Sequence, residues 1–567
     1  MAESTLIRGG CVVDGTGAPP KSADVLITNG KIAAVGRVDA AGATVVDADG
    51  LIVTPGWVDV HTHYDGQVYW DPLMTPSSWH GATTAVMGNC GVGFAPVRPD
   101  EHDHLIDLMH EIEDIPAETL RAGIPWGWES FTEYLACLDA TPRAIDVGVL
   151  VPHGAVRTYL MGERGIREPA SSQEIQAITT MIADGIDAGA LGCSANRTLR
   201  KEGVVPGSFA SDEELLTIAK AVGLRNAVFQ TSPASFMGPK EWTSYEAECD
   251  LLRRMSLVGN VRITFPVVQD HQDPDRWRQI FAAIDAANAA GAKLMPQILA
   301  RPLNAIATLG GRHLFEKLGS FRKIAAGATD AAELARRMSS PAVREAILAE
   351  ARAALSARAW LLDSIYHMSD PPNYEPHPDQ SIAAAARRQG VAPWDFFYDA
   401  LLEQQGEAMF LMVAANYAAG NGDVVLEMIR HPATVLGLGD GGAHCLGLCD
   451  ATTPTTLLSH WVRDRSRGER LPLEVAVREL TATPARAFGL RDRGVLSPGM
   501  RGDINLIDLG AIQMRPPEFA HDLPGNGKRL VQRANGYVAT YVGGEVIFRN
   551  GQETGARPGR TIRRSAQ

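Results

Sequence analysis

Apolar and polar residues follow two different rhythms along this chain, and the switches between them divide it into segments. Over the first fifty residues, short apolar runs stop at turn residues. Residues 6–15 read as strand, turn, strand, and 24–27 joins 31–36 across Asn29-Gly30, a pair suited to a type I′ hairpin turn. The same rhythm returns at 503–507 and 537–547, with Gly543-Gly544 at the turn. These flanking stretches predict a small β-sandwich domain formed from both termini, residues 1–54 with 488–567.

Between them, short apolar runs alternate with longer helical stretches. The runs lie at 53–61, 83–88, 145–151, 191–194, 227–231, 261–267, 293–298 and 435–440. Helical periodicity is clear over 172–188, 212–221, 277–290 and 475–487. Eight strands alternating with helices predict an α/β protein built on a (β/α)₈ TIM-type barrel, residues 55–487. The stretch between the seventh and eighth runs is too long for one crossover. Residues 316–416 are therefore expected to form an insertion, largely helical at 331–357 and 381–388.

Composition then narrows the function. At 567 residues, with 45% hydrophobic and 21% charged positions, the chain has the make-up of a soluble globular protein. A net charge of −13 argues against nucleic-acid binding, which needs clustered Lys and Arg. The densest basic stretch, 557–564, is expected to be a solvated tail. No apolar run reaches the roughly 18 residues of a membrane span, and Met1 to Ile7 lacks a signal-peptide pattern. Seven scattered cysteines predict reduced thiols and a cytoplasmic protein.

Three stretches carry candidate chemistry. In Pro55-Gly56-Trp57-Val58-Asp59-Val60-His61-Thr62-His63 an apolar strand ends in two histidines that alternate along the backbone and so face one side. At the C-terminal end of a barrel strand, two imidazoles make half of a divalent metal site. A bare His-x-His reads equally well as two polar residues near a turn; the buried strand and the Pro-Gly favour the metal. Cys90 ends the second run inside Gly88-Asn89-Cys90-Gly91, as a thiolate ligand or as a buried inert thiol. Asp440 ends the eighth run before Gly441-Gly442, where a carboxylate can both bind metal and take a proton from water. Asp-Gly is also a plain turn.

Together with 151–157 (VPHGAVR), 437–444 (GLGDGGAH), 483–490 and 493–509, these motifs resemble the amidohydrolase superfamily over nearly the whole chain. Within it they are similar to the N-acyl-D-amino-acid deacylase, or D-aminoacylase, branch. The resemblance implies a metal-dependent hydrolase acting on an amide or related C–N bond of a small molecule, an N-acyl amino acid being the example. It implies His61, His63, Cys90 and Asp440 as metal ligands, with Asp440 also the catalytic base. Cys90 stands where relatives often carry a carboxylated lysine. The implied cofactor is a divalent ion, zinc ahead of iron or manganese, in one or two copies. His153 and Arg157 match a motif that borders the site.

The chain also departs from that pattern. D-aminoacylases carry histidine ligands at the ends of the fifth and sixth strands. Here Gln230 stands near the first position, and the sixth run has no histidine until His271, which is expected to be a loop residue. A mononuclear or altered centre is the expectation. Arg157, Arg301 and His444 are candidates for recognising a substrate carboxylate, with His153 and Gln230 as further substrate contacts, although either arginine also reads as a structural ion pair. Tyr374 and Asn416-Tyr417 could cover the mouth or simply pack. A metal-dependent lyase or decarboxylase, or a catalytically silent scaffold, stays open as an alternative. The partner expected is a small molecule, with no nucleic acid and no membrane, and the exposed barrel faces allow a homo-oligomer.

Overall fold

The computed structural model describes residues 4–39, 42–198, 204–234, 236 and 243–564. Eight parallel strands form one sheet in chain order: Trp57–Asp59, Ala82–Met87, Asp146–Pro152, Gly192–Asn196, Val228–Ser232, Arg262–Pro266, Leu294–Ile298 and Val435–Leu436. Each overlaps its predicted run. Between the last and first strands the ring is joined by backbone bonds, Asp440 N–H to His61 O (3.0 Å) and His63 N–H to Gly441 O (2.8 Å). The bonds that close the barrel are therefore made by the candidate metal ligands themselves.

The predicted run 53–61 serves two sheets. Ile52–Pro55 pairs antiparallel with Ile504–Ile507 in the outer sheet, and Trp57–Asp59 starts the barrel. Gly56 sits at the joint, where a Cβ would lie 2.2 Å from Thr83 Oγ1, so only glycine lets the strands cross so closely. The outer sheet has nine strands, five from residues 4–55 and four from 504–553. Its predicted hairpin is present: Asn29 (φ 51°) and Gly30 (φ 74°) both take the left-handed backbone that a type I′ turn requires.

A small sheet also lies between the seventh and eighth barrel strands, its first strand ahead of residue 316. Leu303–Thr308 and Ile365–His367 pair antiparallel with Met409–Ala415. These runs of Ala, Leu and Met carry no strong strand signal. Helices Ala331–Met338, Pro341–Ala354, Ile382–Gln389 and Pro393–Leu401 pack beside the sheet around a core of Phe315, Met338, Leu348, Phe397 and Phe410. The stretch 331–357 breaks before Pro341, which takes the first turn of a new helix. Likewise 475–487 divides at Thr481, because Pro484 has no N–H to bond back to Leu480.

The basic C-terminal stretch is not a solvated tail. It docks at the start of the third barrel strand, through Val147 N–H to Arg560 O (3.0 Å) and Ile562 N–H to Val147 O (2.7 Å). No helix among the described residues is long and apolar enough to cross a membrane.

Candidate active site

The site grows from the first strand's end. Thr62 donates from its N–H (3.0 Å) and its hydroxyl (2.8 Å) to Val86 O on the second strand. His61 and His63, on either side of it, consequently turn the same way, with ring centroids 5.4 Å apart and almost no exposed surface. Asp59, partly buried, accepts from His61 N–H at 3.2 Å, and desolvation raises its carboxyl to about 6. A Cβ on Gly439 would come within 2.3 Å of that carboxylate, which explains a glycine one residue before Asp440.

Cys90 is clamped by the fourth and fifth strands. Its N–H donates to Gln230 Oε1 (2.8 Å), its carbonyl accepts from Asn196 Nδ2 (3.1 Å), and Ser232 Oγ lies 3.4 Å from its sulfur. Its Sγ lies 3.3 Å from His61 Nε2. One donor atom each from His61, His63 and Cys90 falls within 4.8 Å of the others. Asp440 Oδ1 lies 3.6 Å from His61 Nε2 and 3.7 Å from His63 Nε2. Burial pushes its carboxyl up to about 7, with the His61 charge opposing and Asp450 and Glu113 adding to the shift. Cys90 (φ 57°), Asp440 (φ 44°) and His444 (φ 51°) all hold left-handed backbone, a conformation that costs non-glycine residues energy and gathers where side chains are aimed for function.

These separations suit a metal. Ligands about 2.1–2.3 Å from a tetrahedral ion lie roughly 3.4–3.7 Å from one another, and the measured values are 3.3, 3.6 and 3.7 Å.

Two contributors were not recognisable in the sequence. Gln297, buried at the end of the seventh strand, places Oε1 2.5 Å from His61 Nδ1. An amide oxygen only accepts, so His61 carries its proton on Nδ1 and turns the Nε2 lone pair towards Cys90 and Asp440. Glu113, the last residue of helix His102–Glu113, lies 3.4 Å from His63 Nε2 and 3.7 Å from His444 Nε2. A glutamate ending a surface helix gives no signal in sequence; only the fold brings it to the mouth. His444 is thus at the site.

Gln230 is there too, beside Cys90. Its Nε2 is buried with no hydrogen-bond partner among the described residues, as is Oγ1 of Thr264, its register neighbour on the sixth strand. No imidazole stands at either strand end, and His271 lies in a following loop beside Trp360 of the insertion.

Of the two readings of the arginines, the structure shows the ion pairs. Arg157 donates to both Glu214 oxygens (2.7 and 2.6 Å), and His153 Nε2 meets the same carboxylate at 2.8 Å. Arg301 donates to Asp450 (2.6 Å) and Thr452 (2.7 Å) and lies over the Tyr374 ring. His153, Arg157 and Arg301 are therefore engaged in internal ion clusters, in which His153 Nδ1 and Asp450 Oδ2 have no hydrogen-bond partner among the described residues. Tyr374, Asn416 and Tyr417 are buried and bonded to Gln532, Gln269 and Pro376, so they pack the insertion against its neighbours.

The model of the Amidohydrolase family matches residues 44–548. The chain belongs to that family. It is similar to the D-aminoacylase of Alcaligenes xylosoxydans xylosoxydans, at 26% identity over 99% of this chain and 98% of the other. The N-acyl-D-glutamate deacylase of the same organism is 28% identical over 99% and 96%. Among solved structures, a D-aminoacylase studied for its binuclear metal centre superposes with a TM-score of 0.66 at 23% identity, covering 99% of both chains. This amidohydrolase thus shares the TIM-type barrel of that branch.

Proposed function

We propose that this amidohydrolase holds one divalent cation, zinc before iron or manganese, through His61, His63, Cys90 and Asp440, and hydrolyses the amide bond of an N-acyl amino acid. The observation that carries the reading is the convergence of His61, His63 and Cys90 donor atoms within 4.8 Å, with Asp440 Oδ1 beside both imidazoles. Support also comes from the deacylases this chain is similar to and from a Bordetella bronchiseptica N-acyl-D-glutamate deacylase solved with zinc and a phosphonate inhibitor.

When bound, such an ion supplies Lewis acidity that polarises an amide carbonyl and makes water more acidic. Asp440 would take a proton from the attacking water on its other carboxylate oxygen as that water's oxygen bonds to the carbonyl carbon, and would pass the proton to the nitrogen as the C–N bond breaks. Gln297 keeps His61 in the tautomer that offers Nε2. Glu113 braces His63 and His444 by its carboxylate and adds negative charge that favours a cation. Gln230, its carbonyl fixed by Cys90 N–H, offers Nε2 to a substrate oxygen. With Gln230 and Thr264 where imidazoles would complete a second centre, the residues suit one ion better than two.

We also assign 1–54 with 488–567 to the composite β domain and 55–487 to the barrel, with its insertion around 316–416, in a cytoplasmic protein. The test incubates the metal-loaded enzyme with N-acetyl-D- and N-acetyl-L-amino acids and measures free amine. Release of the amine, lost in Asp440→Asn, is expected. No amine from any member, or a carbon–carbon cleavage product, would overturn the reading.

A further inference from the structure

The opposite end of the barrel holds a second concentration of charge. There the starts of the fifth and sixth strands meet the docked C-terminal segment around a cavity of about 890 Å³. Arg262, Arg486, Arg491, Arg560, Arg563 and Arg564 line it, in a chain whose net charge is −13. Among its described lining residues Asp492 is the single carboxylate, and that group already meets Arg493 at 2.9 Å and Arg560 at 3.0 Å. Arg563 is paired with Asp139 outside the cavity.

Three of the charges, on Arg262, Arg486 and Arg564, are poorly compensated. Arg262 donates to two backbone carbonyls, Arg486 O and Asn226 O, both at 3.0 Å. Arg564 likewise donates to Arg225 O. Neither these two nor Arg486 has a carboxylate within ion-pair distance among the described residues. Burial and the neighbouring Arg491 both disfavour the charged form of Arg262. The cluster is assembled on purpose-built backbone: residues 559–564 are held by main-chain bonds from Arg143, Val147 and Gly189, which bring Arg560, Arg563 and Arg564 up to Arg262. Arg262 and Arg564 are partly buried and the other four arginines are exposed around them; clustered like charges repel, and a bound anion relieves that repulsion. Leu191, Phe488 and Ile562 add apolar wall.

We propose that this cavity is a binding site for a small phosphate-bearing organic anion. Guanidinium forks match phosphate oxygens in bidentate fashion. The volume lies within the range of roughly 300–1,000 Å³ of small-molecule sites, so it admits more than a lone phosphate. The site is separate from the metal cluster, because it sits at the strands' N-terminal ends.

The test is isothermal titration calorimetry of the metal-loaded enzyme with inorganic phosphate and phenyl phosphate at constant ionic strength. Saturable binding is expected, tighter for phenyl phosphate, and weakened at least tenfold in Arg262→Gln/Arg486→Gln. Arg121→Gln, a surface control, should bind as the wild type does. Metal content and hydrolytic rate should be unchanged in the double variant, which separates this site from phosphate at the metal. If the double variant fails to fold, Arg486→Gln, on an exposed position, should alone weaken binding about threefold. No saturable heat, or affinity unchanged by these substitutions, would overturn the proposal.

Discussion

Two buried polar clusters in this molecule contain similar residue types and behave in opposite ways. At His153, Arg157 and Glu214, the acid is met by one imidazole and one guanidinium at 2.6–2.8 Å, and burial's upward push is outweighed by these partners, which hold Glu214 at about 2. In that cluster the charges are paired with one another, although His153 Nδ1 has no hydrogen-bond partner among the described residues. At His61, His63, Cys90 and Asp440, Cys90 Sγ lies 3.3 Å from His61 and Asp440 Oδ1 lies 3.6 and 3.7 Å from His61 and His63, too far for short ion pairs and close to the spacing around a metal, while Asp440 is pushed up to about 7. Residue type alone does not separate structure from chemistry; whether the charges already satisfy one another does.

This contrast can be broken or sharpened by substitution. The largest effect is expected for Asp440→Asn, which should lower kcat/KM by about 10³-fold or more while leaving thermal unfolding near wild type. Glu214→Ala should do the reverse, costing roughly 3–5 kcal/mol of stability by leaving buried cations uncompensated. Chemical denaturation followed alongside kcat/KM distinguishes the two; a catalytic loss from Glu214→Ala without destabilisation would erase the distinction.

A further buried group predicts a pH dependence. His80 is fully buried, with Nδ1 2.7 Å from Thr455 Oγ1 and Nε2 2.8 Å from Gln532 O, and burial lowers it from 6.5 to about 4. Because its folded value is depressed, it contributes stability that is present above pH 6.5 and lost as the pH falls towards 4. The loss amounts to about 3 kcal/mol, and stability curves of His80→Gln should lack that part of the slope. Smallest is Gln297→Leu, which should weaken metal affinity by roughly 10–100-fold through loss of the His61 tautomer. Titration with a competing chelator measures it, and unchanged affinity would remove Gln297 from the account.

The barrel was largely legible in the sequence because its strands are nearly continuous apolar runs, from Ala82–Met87 to Leu294–Ile298, as both-sided burial requires. That His61, His63, Cys90 and Asp440 lie near one another was expected from their strand ends, but the family resemblance, not their spacing, singled out Cys90 and Asp440 as ligands. Gln297 and Glu113 were not, since each acts through contacts with residues far away in sequence, Gln297 at His61 and Glu113 at His63 and His444. The ion pairs of Arg157 and Arg301 were hidden for the same reason: their partners Glu214 and Asp450 lie 57 and 149 positions away. The 557–564 stretch looked like a tail because its docking uses backbone atoms, which composition does not reveal.

The central claim is that His61, His63, Cys90 and Asp440 hold one catalytic cation. Elemental analysis of the reconstituted protein tests it most directly. The account predicts about one zinc, iron or manganese per chain, retained in Glu214→Gln and lost in His61→Ala/His63→Ala. Metal kept at full occupancy by the double variant, or absent from the reconstituted wild type, would contradict it.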